Sequence, residues 1–242
     1  LNTRHHSDIQ KEWYKFPSII TILKAAGYRT LWYSNQDEVG LYDNMASCFA
    51  HICDYYHFNT KKTRLDGDLI SLHKPFKGKE FIIYHLMGQH VDFAKRYPES
   101  YKKFKATDYD KKKCQKREVA AHYDNACLYN DFVVAQLMEK YKNEDAIVIY
   151  YPDHGIDVFQ SSPNYFGHAH GFKKESRKTG LQIPCFIYLS PLYKDHHKAL
   201  TAQTQRSLDR KYCTADMTFT LMHVAGYDFA QHPTDTLYSL IK

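Results

Sequence analysis

This 242-residue sequence predicts an α/β fold with a mostly parallel central sheet flanked by helices, on three observations. Apolar runs of strand length alternate with helical patterns, which is how a sheet covered by helices reads. The strands are near-continuous apolar runs rather than alternating ones, as a sheet buried on both faces requires. Three of the four strands end in polar clusters, "SNQD", "GQH" and "PDHG". In open α/β sheets, ligands bind at the carboxyl ends of the strands.

The elements follow in order. "PSIITILKAAG", residues 17–27, starts a helix at Pro17 and Ser18 and stops it at Gly27. "YRTLWYSNQ" is a strand entering a polar loop at Ser34 to Asp37. Residues 61–73 read as a helix with Leu65, Leu69, Ile70 and Leu72 near one face. "EFIIYHLMGQH", 80–90, is a second strand that runs into a loop at Gly88. The charged segment 100–116 reads as an exposed loop or ragged helix start. The longest helical pattern covers 116–141, with Val119, Tyr123, Ala126, Phe132, Val133 and Leu137 among its apolar positions. Within it, Asp124 and Asn125 read as a solvated helix face without chemistry. "AIVIYY" is the third strand and "QIPCFIYLS", 182–190, the fourth; a last helix covers about 213–225. With no internal repeat and no linker, residues 1–242 read as one domain.

Composition narrows the function classes. The formal charge of +6 and a pI near 8.8 favour anions. The basic residues are scattered apart from Lys111 to Lys113, without the basic stripe or aromatic interleaving that nucleic-acid binding needs. An anionic small substrate or an anionic lipid surface fits instead. Six cysteines contain no CxxC pair, which argues against a structural zinc module. Cys127 and Cys185 lie in apolar patterns and read as buried thiols. There is no run of eighteen apolar residues to span a membrane and no signal peptide. The chain opens at Leu1 rather than Met, from which upstream residues are expected.

"IVIYYPDHG", 147–155, runs a strand straight into Asp153, His154 and Gly155. A carboxylate and a neutral imidazole suit zinc, with manganese also accommodated. Both side chains can converge in a turn after the strand, and Gly155 allows a close approach or a positive φ there. A merely polar turn is the plainer reading of "DHG" alone. Downstream, "NYFGHAHGF" places His168 and His170 on one side of an extended segment, or in a histidine-rich surface loop. His90 ends another strand, as a site residue or a solvated loop residue. No GxSxG, P-loop, GxGxxG or CxPxR segment is present. What survives is a metal-and-imidazole site without an evident nucleophile.

The ordered blocks "SIITILKAAGYRTLWYSNQ", "FIIYHLMGQHVDFAKRYP", "YDNACLYNDFVVAQLM", "YYPDHG", "GHAHG" and "IPCFIYLS" resemble the soluble catalytic domain of the phosphoethanolamine transferases, over residues 15–225. These belong to the sulfatase and alkaline phosphatase superfamily. The resemblance implies an alkaline-phosphatase-like sandwich, truncated at its N-terminus. It implies a parent in the inner membrane whose catalytic domain faces the periplasm, tethered by N-terminal transmembrane helices. The implied reaction moves phosphoethanolamine from phosphatidylethanolamine, through a threonine nucleophile assisted by zinc, to lipid A or another cell-envelope glycan. Asp153 and His154 match the family's metal pair. His90 in "MGQH" resembles a "GSH" block and becomes a phosphate-side or second-metal histidine. His168 and His170 both match the downstream histidine beside a glycine.

The family's metal-binding glutamate and nucleophilic threonine precede the block that begins here at Pro17. Thr3 lies too close to Pro17 to match, so both groups and the membrane helices are expected upstream of Leu1. The family's usual "DHGE" reads "DHGI" here. A sulfatase or phosphodiesterase of the same superfamily, or a non-catalytic anion- or glycan-binding domain, are the alternative functions.

Overall fold

The computed structural model describes residues 1–4, 10–40, 44–61, 64–168, 177–229 and 238–241. In chain order the elements are α1 (Ile19–Ala25), β1 (Arg29–Ser34), α2 (Asn44–Ile52), β2 (Tyr55–Phe58), β3 (Glu80–His85), α3 (Arg117–Tyr141), β4 (Ile147–Tyr150), β5 (Asp157–Val158), β6 (Phe166–Gly167), α4 (Arg177–Leu181), β7 (Phe186–Leu189), α5 (Pro191–His196), α6 (Lys198–Arg206) and α7 (Met217–Val224). They fall into two compact units. One comprises Leu1–Phe58, Lys74–His85 and Lys194–Lys242; the other comprises Asn59–His73 and Leu86–Tyr193.

The first unit holds a three-stranded parallel sheet in the order β2-β1-β3. The Ser18 hydroxyl caps α1 by accepting from the Thr21 amide at 3.0 Å. Gly27 ends the helix at φ +81°, where an L side chain is strained. β1 is the central strand, pairing Leu31 with Tyr55 on one side and with Ile82 on the other. Ile19, Ile20 and Leu23 of α1 pack with Trp32, Phe49, Phe219 and Met222 into one apolar core. Asp54 ties β1 to the start of β2: its carboxylate accepts from the Thr30 amide at 2.8 Å and the Thr30 hydroxyl at 2.9 Å. The polar end of β1 turns inward. Ser34 and Asn35 are fully buried, the Ser34 hydroxyl meets His85 Nδ1 at 3.1 Å, and the Asn35 amide donates to the His85 carbonyl.

The second unit is built on α3. Val133, Leu137, Ala126 and Tyr129 lie on its buried face, and Tyr129 and Val133 join Phe93 and Tyr97 in a second core. β4 pairs antiparallel with β7, Ile147 opposite Leu189, and β5 pairs antiparallel with β6.

Several expectations change. The helix expected over 61–73 is a 3-10 turn, Asp66–Leu69. Asp66 faces inward, and Gly67 presses on Tyr129, whose hydroxyl lies 2.6 Å from where a Cβ would stand. The α2–β2 stretch contains a helix and a strand that its pattern did not announce. The parallel arrangement holds for β1, β2 and β3, whereas β4 and β7 run antiparallel. Parallel neighbours need a crossover connection, usually a helix on the sheet face, and here the connection carries a small hairpin and the five-residue α4. Asn125 is fully buried, not solvated: its side-chain oxygen accepts from the Lys103 and Phe104 amides at 2.7 and 2.8 Å, and its NH2 donates to the Phe104 carbonyl at 3.0 Å. Cys185 is exposed and Cys127 half-buried, while Cys53 and Cys114 are the buried thiols. Cys185 immediately precedes β7, whose first residue is itself exposed.

Candidate metal and phosphate site

β4 delivers the chain through Tyr151 and Pro152 to Asp153 and His154. Beyond the strand the two side chains no longer point to opposite faces. His154 Nε2 lies 3.8 Å from Asp153 Oδ2, and the His154 amide donates to Asp153 Oδ1 at 3.0 Å. The Asp153 side chain is 89 % exposed and that of His154 42 %, so both are accessible to an ion from solvent. His154 Nδ1 lies 2.9 Å from the Gly155 carbonyl oxygen. A carbonyl only accepts, so Nδ1 carries the proton and the Nε2 lone pair is available. That is the orientation a metal-ligating histidine takes when a backbone carbonyl fixes its tautomer.

Gly155 meets a steric demand. A Cβ there would lie 2.0 Å from the Thr179 carbonyl oxygen, closer than side-chain carbons pack. The same approach lets the Gly155 amide donate to the Gly180 carbonyl at 2.9 Å. Of the two reasons for glycine foreseen from the sequence, close approach is the operative one. Ile156, where an acid is usual in the resembling family, packs beside Tyr123, Val158 and Phe166 against the second core.

Asp157 holds this turn from beneath. It is 1 % exposed; one carboxylate oxygen accepts from the Gln160 amide at 3.0 Å and the other from the Thr179 hydroxyl at 3.0 Å. The pairing of β5 with β6 leads the chain to His168, whose ring centroid lies 4.2 Å from that of His154 at an interplanar angle of 47°. His154 thus lies close to Asp153 and, separately, to the His168 ring, and a carboxylate with imidazoles is a donor type that suits zinc. His170 lies outside the described residues. His90 is exposed in the turn after β3. Its amide donates to the Met87 carbonyl at 3.1 Å, and its own carbonyl accepts from Arg96 Nε at 3.2 Å. Among the described residues, no three His, Cys, Asp or Glu side chains form a closed metal-holding group.

Asp66 was missed from the sequence. It is 4 % exposed, and its two carboxylate oxygens accept from the Met87 amide at 2.9 Å and the Gly88 amide at 2.7 Å. It thereby fixes the "MGQH" turn, with Gly88 at φ +51°. The available signals were weak: Asp66 and Asp157 each stand beside apolar residues, in "LDGDL" and "IDV", and an acid buried there needs partners. Other reactive groups nearby are quiet. Burial raises the Cys127 thiol to about 11 and the Tyr151 phenol to about 12, so neither offers an anionic nucleophile at neutral pH.

Comparison with known proteins extends the picture. Residues 1–227 match the Sulfatase family. Phosphoethanolamine transferase EptC of Escherichia coli K12 is 31 % identical over 229 residues, which is 88 % of this chain and 38 % of that protein. The Kdo(2)-lipid A phosphoethanolamine 7''-transferase of the same strain is 27 % identical, with the same coverage of 88 % and 38 %. The chain thus spans about two-fifths of the length of these curated relatives. The crystal structure of the C-terminal periplasmic domain of E. coli EptC superposes with a TM-score of 0.77 at 26 % identity, covering 94 % of this chain and 65 % of that one. The same domain in complex with Zn gives 0.74 at 27 % identity, covering 94 % and 66 %. The α/β fold described above is the fold of that domain.

Proposed function

The chain belongs to the sulfatase family, and from that membership we propose that it carries the metal-binding part of a zinc-dependent phosphoethanolamine transferase. Its relatives are phosphoethanolamine transferases, and one is named for lipid A. The observation that carries the reading is the His154 ring, held through Nδ1 by the Gly155 carbonyl. Its Nε2 is left for an ion shared with Asp153 and, on the facing side, His168. A zinc complex of the EptC domain supports the choice of metal; manganese is the second candidate.

Zinc bound there would neutralise charge on a phosphoryl group and favour attack by a hydroxyl. Asp153 and His154 bind the ion and Gly155 keeps their turn seated. His90, on the turn pinned by Asp66, contacts phosphate oxygens. His170 stands as the alternative to His168. The donor is phosphatidylethanolamine and the acceptor lipid A or another cell-envelope glycan, with residues 1–242 acting as one catalytic domain on the periplasmic side of the inner membrane. Among the described residues, no helix is long and apolar enough to cross a membrane. The family's nucleophilic threonine and acidic ligand have no counterpart in the matching blocks. The 242 residues alone therefore bind zinc weakly and turn nothing over.

The test is zinc binding by equilibrium dialysis with metal analysis by mass spectrometry, comparing the protein with an Asp153→Ala, His154→Ala double variant. Zinc retained by the protein and lost from the variant supports the reading. No zinc in either favours a non-catalytic anion-binding domain, a reading consistent with Ile156 packing where an acid is usual. Metal-dependent phosphoethanolamine release by these 242 residues would overturn the claim of inactivity.

A further inference from the structure

One short stretch of the second unit is strongly basic. Residues 99–117, "ESYKKFKATDYDKKKCQKR", carry seven lysines and one arginine against the three carboxylates of Glu99, Asp108 and Asp110, a net of +5 where the whole chain has +6. Lys102 pairs with Glu99 at 3.3 Å, and the Lys116 ammonium lies over the Phe166 ring, 5.2 Å from its centroid. Lys103, Lys105 and Lys111 to Lys113 are exposed, and no ion pair among the described residues engages their ammonium groups. The acids of the loop serve its backbone instead: Asp108 accepts from the Lys105 amide at 2.8 Å and Asp110 from the Lys112 amide at 2.8 Å. Aromatic rings stand among these charges. Phe104 and Phe132 are each 39 % exposed, and Phe132 packs on Tyr101 with ring centroids 5.3 Å apart.

The loop is fixed in place from below. Fully buried Asn125 accepts from the Lys103 and Phe104 amides and donates to the Phe104 carbonyl. Its neighbour on α3, Asp124, accepts from the Tyr109 hydroxyl at 2.5 Å. Two adjacent residues of α3 therefore anchor both ends of 103–109. Phe132 stands seven residues beyond Asn125, about two turns further along the same side of the helix. The backbone of Phe104 is thus gripped by a buried amide while its ring stands in solvent between lysines. That combination points to a partner that takes an apolar ring and positive charge together, and the headgroup layer of an anionic bilayer offers both. Lysine, a point charge on a flexible apolar stem, suits such a layer, in which the phosphates hold no fixed geometry.

We propose that the 99–117 loop is a membrane-contact surface that seats this domain on an anionic lipid bilayer. Phe104 and Phe132 enter the headgroup layer, and Lys103, Lys105 and Lys111 to Lys113 lie over lipid phosphates. The surface goes beyond the transferase reading and stands without it, because no residue of the Asp153–His154 turn takes part. Attraction of this kind weakens with salt, since the Debye length is about 10 Å at 0.1 M and about 3 Å at 1 M.

The test sediments the 242-residue protein with vesicles of phosphatidylcholine alone or mixed with phosphatidylglycerol, with EDTA present so that no metal bridges protein and lipid. Binding to the anionic vesicles alone is expected, and it should fall as salt rises. Lys103→Gln, Lys105→Gln should weaken it about twentyfold and Lys111→Gln, Lys112→Gln, Lys113→Gln about a hundredfold, at about fivefold per lysine near an anionic surface. Phe104→Ala should weaken it about fivefold, through the apolar area withdrawn. All these side chains are exposed, so the urea midpoint should stay at the wild-type value. Lys194→Gln, Lys198→Gln removes two exposed charges of the first unit and should bind as wild type. Absence of vesicle binding, wild-type binding by the two lysine variants of the loop, or an equal loss in Lys194→Gln, Lys198→Gln would each overturn the proposal. Displacement of the vesicles by polyglutamate, with Phe104→Ala binding as wild type, would overturn it in favour of an acidic polypeptide. Asp153→Ala, His154→Ala should bind vesicles unchanged. A protein that binds these vesicles but no zinc keeps this surface and loses the transferase reading; the reverse loses only the surface.

Discussion

The two units are held by different means. In the first, a central strand is flanked on both sides, and Ile19, Ile20 and Phe219 are fully buried in one apolar core. In the second, buried polar side chains set the loops that matter: Asp66 grips the turn before His90, Asn125 grips residues 103 and 104, and Asp157 grips the turn after His154. Apolar packing is tolerant of detail and stabilises a scaffold. A carboxylate that satisfies two or three donors specifies one geometry, because each unmet donor costs free energy once buried. The candidate site is therefore fixed to within hydrogen-bond tolerance in a region with little regular sheet.

The largest effect expected is in the first unit. Phe219→Ala should lower stability by about 3–5 kcal/mol, seen as an earlier urea midpoint, while zinc affinity under native conditions stays at the wild-type value. A matching loss of zinc affinity would break the distinction. Next comes Asp66→Ala. It leaves the Met87 and Gly88 amides without their acceptor and should cost about 2–3 kcal/mol, with NMR shifts concentrated at residues 86–91. A variant as stable as wild type would mean the turn holds itself. Gly155→Ala sharpens the contrast. Its Cβ must displace the Thr179 carbonyl, at about 1–3 kcal/mol for an overpacked contact, yet zinc binding should fall more than in Phe219→Ala.

The smallest effect belongs to Asp54. The Lys24 ammonium first, then the Thr30 amide, hold its carboxyl down at about 2, below its ordinary 3.8. Because the folded value is depressed, its contribution is present above pH 3.8 and is lost as pH falls through about 2. The pair is partly exposed, so Asp54→Asn should cost no more than about 1 kcal/mol at pH 6. The urea midpoints of variant and wild type should converge near pH 2. A gap that stays constant with pH would remove the charge from the explanation.

Local rules foresaw much of the fold. The Ser18 cap and the Gly27 stop are chain-local, and both are present. α3 runs from Arg117 to Tyr141 against an expected 116–141, because an apolar face repeated over many turns leaves little doubt. The misses have a common cause. Asp66, Asn125 and Asp157 look like solvated polar residues until their partners arrive, and for Asp66 and Asn125 those partners are amides more than twenty residues away. Periodicity contains no such information. At the site, "DHG" was legible as a candidate pair of ligands, but the reason for its glycine lay in the Thr179 carbonyl, far along the chain.

That contact at Gly155 has a consequence for how the protein can vary. The Gly155–Gly180 hydrogen bond and the Asp157–Thr179 bond join the two ends of the span from 155 to 180. Once the base of a loop is closed, doubling its length costs only about 0.6 kcal/mol. Insertions and deletions inside this span can thus be accommodated while Asp153 and His154 stay in register. The arrangement separates a part of the sequence free to vary in length from one that must keep its geometry, so that the span can change without rebuilding the candidate ligand pair.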